Sequence, residues 1–556
     1  MSTAADVILA GRTAHTFSDI DQAVTAVAIR DGIIVGTATD VNELKSFEGP
    51  LTRTVADSDL VLMPAFFDTH NHLFWTSQDE AHVDVSAADS VDEIVALLRE
   101  RALHTPSGQW VVGRRQWHES TIVEGRLPTA VELDRASVDH PIFLPRGGHV
   151  GVANSRALGM AGITADTPDP AGGTVVRDPA GRPLGSLIEF PAVAPVAALL
   201  PEPGREELID ALERTCLFYN SRGIGAVRDP GVDDDDIDVY RALHDRGGLS
   251  LRARPMLRLD PSSGVDANLE MMRRFRARPG EGDDMLRVEG IKLFADGGVE
   301  GGWLSEPYLN APDYCGHAFF DADELQVLVQ SAVQIGWKVG CHAVGDKAVR
   351  MVIDVYERVI AANGPLAPGT LVIEHAFFAD AETRRRVIAA GVRITVQHPL
   401  LYALAGNMLT HWGSERTARV MPVAEWLADG AEIAAGSDCN VAPFDPLLSV
   451  WGFVTRGTKI SGIQGAQSAI DRNTAFRLYT ADAARLTGEQ GRRGCLAVGQ
   501  YADIVAFRDD PLTCDVDQLP GLEPVFTMVD GKGRYDPEGR LALHPWPDPG
   551  SSVRVE

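Results

Sequence analysis

Residues 60–73 (LVLMPAFFDTHNHL) form an apolar run that ends in two histidines, His70 and His72. Side chains alternate along a strand, so the two imidazoles are expected on one side, where their neutral nitrogens can chelate a divalent ion. Four later strand-like runs end in Lys292, His342, His375 and Asp438. Nitrogen and oxygen ligands spread over successive strand ends point to a metal centre. In this reading His70 and His72 hold one ion, and His342 and His375 hold a second. Asp438 touches the first ion and its water. A free Lys292 ammonium beside two dications would be repelled and has no lone pair. As a carbon dioxide-derived carbamate it would bridge metals about 3.5–4 Å apart. Two such ions lower the pKa of a shared water from 15.7 towards about 7. The expected chemistry is hydrolysis at a carbonyl carbon, with Asp438 carrying the proton to the leaving nitrogen. Asp438, Lys292 and His342 are therefore the catalytic candidates. Zinc is the expected metal of the pair, although the ligands also suit Mn, Fe or Co.

The residues need a scaffold that brings strand ends together. From about 206 to 485 the pattern alternates strand and helix, and with residues 61–68 at the front it supplies eight strands. The run DADELQVLVQSAVQIG places Leu325, Leu328, Val329, Ala332 and Val333 on one face and stops at Gly336. A second helix places Val349, Val352, Ile353, Tyr356 and Ile360 on one face. The expected fold is a TIM-type (β/α)8 barrel, whose chemistry sits at the C-terminal strand ends. Both chain ends read as short strands, with a hairpin signal at Asp31-Gly32, and are expected to form one small β-sandwich domain (1–60 with 486–556). The barrel then occupies 61–75 and 206–485. Residues 76–205 form an insertion after strand one, long enough to fold on its own and cover the site. The acidic run at 232–238 is read as a loop leading into the acidic first turn of a helix.

The formal net charge of −27 disfavours nucleic acid and anionic membranes as partners. Six cysteines without a CxxC pair give no disulfide scaffold. No signal peptide or apolar span of about 18 residues is evident, so a cytoplasmic protein acting on a small molecule is expected. His15, His82, His104, His244 and His544 are expected at the surface or in packing.

The motifs MPAFFDTHNH, HVGVANSRAL (149–158), IKLFADGG (291–298), CHAVGDKAV (341–349), IEHA (373–376), GSDCNVAPFDPL (436–447) and GCLAVGQYADIVAF (494–507) together span nearly the whole chain. This combination resembles the amidohydrolase superfamily, and within it family 3, the YtcJ-like metal-dependent hydrolases. The resemblance implies a barrel with a split β-sandwich, two metals and a carbamylated lysine. It also implies that His149 binds substrate, and a homodimer is a family-level expectation. Three stretches depart from the family pattern: Gly147-Gly148-His149, Arg228-Asp229-Pro230-Gly231 and Gln116-Trp117-His118. All three are expected to bear on the substrate pocket and none on the metal ligands. Arg146, Asp229, Trp303 and His398 complete the candidate substrate contacts.

The expected activity is hydrolysis of a non-peptide C–N bond in an amide such as an N-acyl or N-formyl group. A single-metal deaminase on the same barrel is one alternative, but the place of its proton-shuttling Glu is taken by Gly345. A barrel that only binds a ligand is the other.

Overall fold

The computed structural model describes residues 4–18 and 23–541; the remaining parts of the two terminal stretches, with His544, lie outside the described residues. Eight parallel strands form its central sheet: β1 (Phe66–Asp68), β2 (Ile224–Val232), β3 (Arg252–Arg258), β4 (Gly290–Phe294), β5 (Lys338–Ala343), β6 (Leu371–His375), β7 (Arg393–Val396) and β8 (Ile433–Ala435). They are hydrogen-bonded in sequence order, and all seven neighbouring pairs are parallel. The seam between β8 and β1 is bridged just beyond the strands, where the Thr69 amide and hydroxyl both donate to the Ala435 carbonyl (3.2 and 2.8 Å). This is a TIM-type barrel, closed by that bridge.

The crossover helices follow from their sequence signals. Asp321 caps helix Ala322–Ile335 by accepting from the Asp323 and Glu324 amides, and Gly336 ends it at φ 102°. Leu325, Leu328, Val329 and Ala332 are buried as the spacing predicts, with Val333 half-buried. Helix Asp346–Asn363 buries Val349, Val352, Ile353 and Tyr356. The acidic run begins helix Asp234–Asp245, capped by Asp233. Among the described residues no helix is long and apolar enough to cross a membrane.

The first apolar run divides differently from expectation. Val61–Pro64 pairs with Val7–Ala14 and Ile504–Phe507 in a second sheet, and only Phe66–Asp68 enters the barrel. Both stretches are buried, so hydrophobicity alone cannot mark the break at Ala65. The second sheet has eight strands and takes Val7–Ala14, Val24–Arg30, Ile33–Ala38, Arg53–Ala56 and Val61–Pro64 from the front of the chain. Its other three, Ile504–Phe507, Phe526–Val529 and Lys532–Tyr535, come from the far end. Asp31 (φ 52°) and Gly32 (φ 74°) make the expected hairpin turn.

This sheet meets the N-terminal end of the barrel, opposite the strand ends that carry the candidate ligands. A buried ionic layer lies between them. Arg252, the first residue of β3, donates to both Asp503 oxygens (2.8 and 3.0 Å), and Arg254 donates to Glu489 (2.7 Å). Tyr501 stacks on Arg252 at 3.9 Å. Within residues 76–205 a five-stranded sheet is built from Val111–Val112, Ile142–Arg146, Val150–Ala153, Thr174–Arg177 and Pro183–Ile188.

Candidate metal centre

β1 ends at Asp68, so strand alternation does not explain how His70 and His72 converge. A stitched turn does. Asp68 accepts from Asn71 Nδ2 (2.8 Å) and from the Ser437 hydroxyl and amide (2.6 and 2.9 Å). The Asp438 amide donates to the His70 carbonyl (2.7 Å), and the His72 amide donates to the Cys439 carbonyl (2.6 Å). The segments after β1 and β8 are thus tied together, and Asp438 Oδ1 comes 3.0 Å from His72 Nε2 and 3.5 Å from His70 Nε2. The potential ligand atoms of these three residues lie within 4.8 Å of one another.

Asp438 Oδ1 is buried and accepts no hydrogen bond from the protein, as expected of an atom whose partner is a cation. Burial would raise the Asp438 pKa, but His70, His72 and His375 hold it well below the usual carboxylate range. Asp438 and His375 both sit at positive φ (59° and 74°), a strained backbone of the kind retained at functional sites.

Lys292 lies in the middle of β4, with Nζ 3.5 Å from His70 Nε2 and 5.1 Å from the Phe294 ring. Its burial lowers its pKa to about 8, so a usable fraction is neutral amine, the form that adds carbon dioxide. His375 stands with its ring centroid 4.7 Å from that of His70 and 4.6 Å from that of His342. Burial keeps His70, His342 and His375 in the neutral, ligating form.

The second nitrogen of three rings is already assigned. His70 Nδ1–H donates to Glu374 Oε2 (2.6 Å), His375 Nδ1–H to Gln397 Oε1 (2.7 Å), and His342 Nε2–H to the Gly297 carbonyl (3.1 Å). Each bond fixes the tautomer and leaves the other nitrogen for a metal, the usual arrangement of ligating histidines. His70, His72, Lys292, His342, His375 and Asp438 all line one cavity. The donor set fits a divalent-metal site.

Four supporting residues escaped the sequence reading. Glu374 is fully buried and bonded to His70, Thr395 (2.8 Å) and Arg228 (2.7 Å). The Arg228 departure therefore does bear on the metal site, one side chain removed from His70. Two opposite charges inside apolar barrel strands were a usable signal, because such charges are stable only when paired. Gln397 orients His375. Asp296 accepts from the amides of Trp303, Val344 and Gly345 (2.7, 2.9 and 2.7 Å), joining the loops after β4 and β5. Glu189 accepts from His149 Nδ1–H (2.6 Å) and is held at φ 67°. Glu189 had no sequence signal of its own, whereas Asp296 stands at the end of the apolar run IKLFAD, where a partner for Lys292 could be read but not its role in joining the two loops.

Of the expected substrate contacts, His149 and Arg146 line the cavity, both brought from the insertion. The His149 ring stands 5.4 Å from that of His342; burial would lower its pKa, but the Glu189 carboxylate raises it. Asp229, Trp303 and His398 do not line the cavity. Asp229 accepts from the Phe74 amide (2.9 Å) and Tyr240 hydroxyl (2.7 Å), bracing helix Leu73–Asp79. Trp303 instead lies beneath Lys347 Nζ, 4.4 Å from its ring. His398 is buried against Phe453 and Gly452, at the first turn of helix His398–Thr417.

Gly147 and Gly148 line the cavity, whereas Trp117 and His118 are bonded to the Pro145 and Val441 carbonyls (2.7 and 3.0 Å). His15, His82, His104 and His244 pair with Asp510, Asp79, Glu100 and Asp283.

A model of the amidohydrolase family matches residues 54–535. The N-substituted formamide deformylase of Arthrobacter pascens is 27% identical over 558 aligned residues, covering 97% of this chain and 100% of that protein. The putative amidohydrolase YtcJ of Bacillus subtilis (strain 168) is 27% identical over 528 residues, covering 92% and 96%. Among solved structures, an uncharacterized metal-dependent hydrolase from Pyrococcus horikoshii OT3 superposes with a TM-score of 0.72 at 24% identity, covering 92% of this chain and 99% of that one.

Proposed function

The chain belongs to the amidohydrolase family, and we propose that it hydrolyses the C–N bond of a small amide, an N-formyl or N-acyl compound, using two divalent ions, zinc in the first instance. His70 and His72 would hold one ion, His342 and His375 the other, with Lys292 as a carbamate between them. The observation that carries this reading is the convergence of Asp438 Oδ1 and the buried Lys292 amine on His70 Nε2, each at 3.5 Å. The arrangement is also an economical reason for a lysine at the heart of a site made otherwise of ligands.

Divalent ions supply Lewis acidity towards the substrate carbonyl and make water a nucleophile near neutral pH. The chain does the rest. Asp438 takes a proton from the attacking water and delivers it to the leaving nitrogen. His149, steered by the Glu189 carboxylate on its Nδ1, leaves Nε2 to contact the substrate in the cavity. Phe190, Phe294 and Phe377 keep bulk water away. The cavity volume is about 60 Å³, well below the roughly 300–1,000 Å³ of sites for drug-sized ligands, which suits a compact substrate.

The N-substituted formamide deformylase similarity supports the same bond type. The architecture is read as a composite β domain built from both ends of the described chain (up to Pro64, and from residue 486), a barrel (66–75 with 206–485) and an insertion (76–205) that lends His149 and Arg146.

The test is metal analysis combined with a panel of amides, lactams, carbamates and esters, run on zinc-reconstituted protein with and without bicarbonate. About two ions per chain, turnover of amides and activation by bicarbonate are expected. One ion per chain with bicarbonate-insensitive activity would overturn the bridged-pair reading.

A further inference from the structure

The cavity contains one cation outside the ligand set, Arg146, and the structure shows it already committed. Its Nη2 donates to Glu300 Oε1 (2.6 Å) and to Glu119 Oε1 (3.0 Å), while Nε lies 3.0 Å from Glu119 Oε2. Asn407, on helix His398–Thr417, donates to Glu119 Oε1 (2.6 Å) and closes the cluster from the barrel side. All three charged side chains are nearly buried, at 5, 12 and 10% exposure for Arg146, Glu119 and Glu300. One guanidinium between two carboxylates leaves a net negative charge. His411 approaches Glu300 only to 3.9 Å. Apart from His149, which Glu189 engages, the remaining wall away from the ligands is largely apolar: Phe190, Phe294, Val299, Phe377, Leu400 and Leu404.

We propose that the substrate is an uncharged amide with a compact apolar N-substituent, and that the Arg146–Glu119–Glu300 cluster is a specificity determinant that rejects amides carrying a carboxylate. An arginine in a hydrolase pocket ordinarily suggests recognition of a substrate carboxylate, because its planar fork matches that group. Here Nη2 is already engaged by both carboxylates. A substrate carboxylate entering beside it meets net negative charge in a site of reduced dielectric, whereas an alkyl group gains contact with the aliphatic and phenyl wall. The inference rests on the amide reading above and narrows it.

Three formamides of similar length separate charge from polarity: N-butylformamide, N-formyl-β-alaninamide and N-formyl-β-alanine. With zinc-loaded enzyme, kcat/KM is expected to fall in that order. The carboxylate is expected to be disfavoured against its neutral carboxamide by on the order of 100-fold, the size of a like-charge approach to about 6 Å at an effective dielectric near 20. The same ranking is expected in dissociation constants measured by calorimetry on zinc-loaded Asp438→Asn protein, which does not depend on turnover. Glu300→Gln, and independently Glu119→Gln, should narrow the gap between N-formyl-β-alanine and N-formyl-β-alaninamide at least tenfold; thermal melting shows which variant is folded. If N-formyl-β-alanine is cleaved or bound as well as the carboxamide, the inference is overturned while the amide reading stands. If no formamide is cleaved, the amide reading falls, and the calorimetric ranking decides the charge inference by itself.

Discussion

Replacing Glu374 by Gln should weaken the metal site and the fold by two separable routes. In the native protein this carboxylate lies fully buried between the Arg228 guanidinium (2.7 Å) and His70 Nδ1–H (2.6 Å). Burial would raise the Glu374 pKa, but Arg228 and His70 hold it well below the usual range, so it is an anion at all ordinary pH values. The amide keeps the shape and loses the charge. Arg228 is then a buried cation without its closest counterion, since Glu289 lies 3.8 Å away. Breaking a buried pair from one side typically costs about 3–5 kcal/mol of folding stability. His70 also loses the acceptor that fixes its tautomer and strengthens Nε2 as a ligand, a change worth about 10- to 100-fold in metal affinity. Urea denaturation of the metal-free variant measures the first effect, and zinc titration against a chromophoric chelator measures the second. The double variant Arg228→Met/Glu374→Gln removes the stranded charge, so it should recover most of the stability and none of the affinity. Metal binding as tight as in the wild type, with stability lost by less than about 1 kcal/mol, would refute the account of Glu374 as the residue that holds His70.

Asp438→Asn should retain bound zinc by elemental analysis yet lower kcat by about 100- to 10,000-fold, the range for loss of a general acid–base group; retained turnover would move the proton transfer elsewhere. Glu189→Gln should leave metal content and melting temperature close to wild type while lowering kcat about 100-fold, because His149 is no longer held. An unchanged kcat would make the strained Glu189 backbone purely structural. Burial takes Lys292 from 10.5 to about 8 in the metal-free protein, so between those values the unfolded chain binds more protons than the folded one. The resulting penalty, about 3 kcal/mol, is fully present below pH 8 and is relieved as pH rises to 10.5. Metal-free Lys292→Met should accordingly be more stable than wild type at pH 7, with a gap that closes towards pH 10.5 in urea denaturation. A gap independent of pH would contradict this.

The barrel was legible because its strands are continuous apolar runs separated by well-capped amphipathic helices. Asp321 and Gly336 mark one such helix at both ends. The six candidate ligands were legible because each is a polar residue of ligand type in or near the end of an apolar run. What supports them was not, for a physical reason. Glu189 and Gln397 matter through partners that only the fold brings to them, and for Glu374 only the pairing of its buried charge with Arg228 could have been read, not its bond to His70. The same blindness misplaced Asp229 and His398. Both stand near strand ends, where a pocket is expected, but Tyr240 and the Phe74 amide occupy the first, and packing against Phe453 occupies the second. The split at Ala65 was hidden because a strand buried in a sheet and one buried in a barrel have the same composition.

The joining of both chain ends in one sheet has a consequence for biosynthesis. Val61–Pro64 leads directly into the barrel, yet its antiparallel neighbour, Ile504–Phe507, is made about 440 residues later. At about 5–20 residues per second the ribosome delivers that neighbour tens of seconds later. For that interval the early strands present an unpaired apolar edge, the kind of surface that chaperones cover and that aggregates recruit. Shortening the chain before residue 504 would make that exposure permanent, so yield on expression should depend on the far end of the polypeptide even though every candidate ligand lies before it.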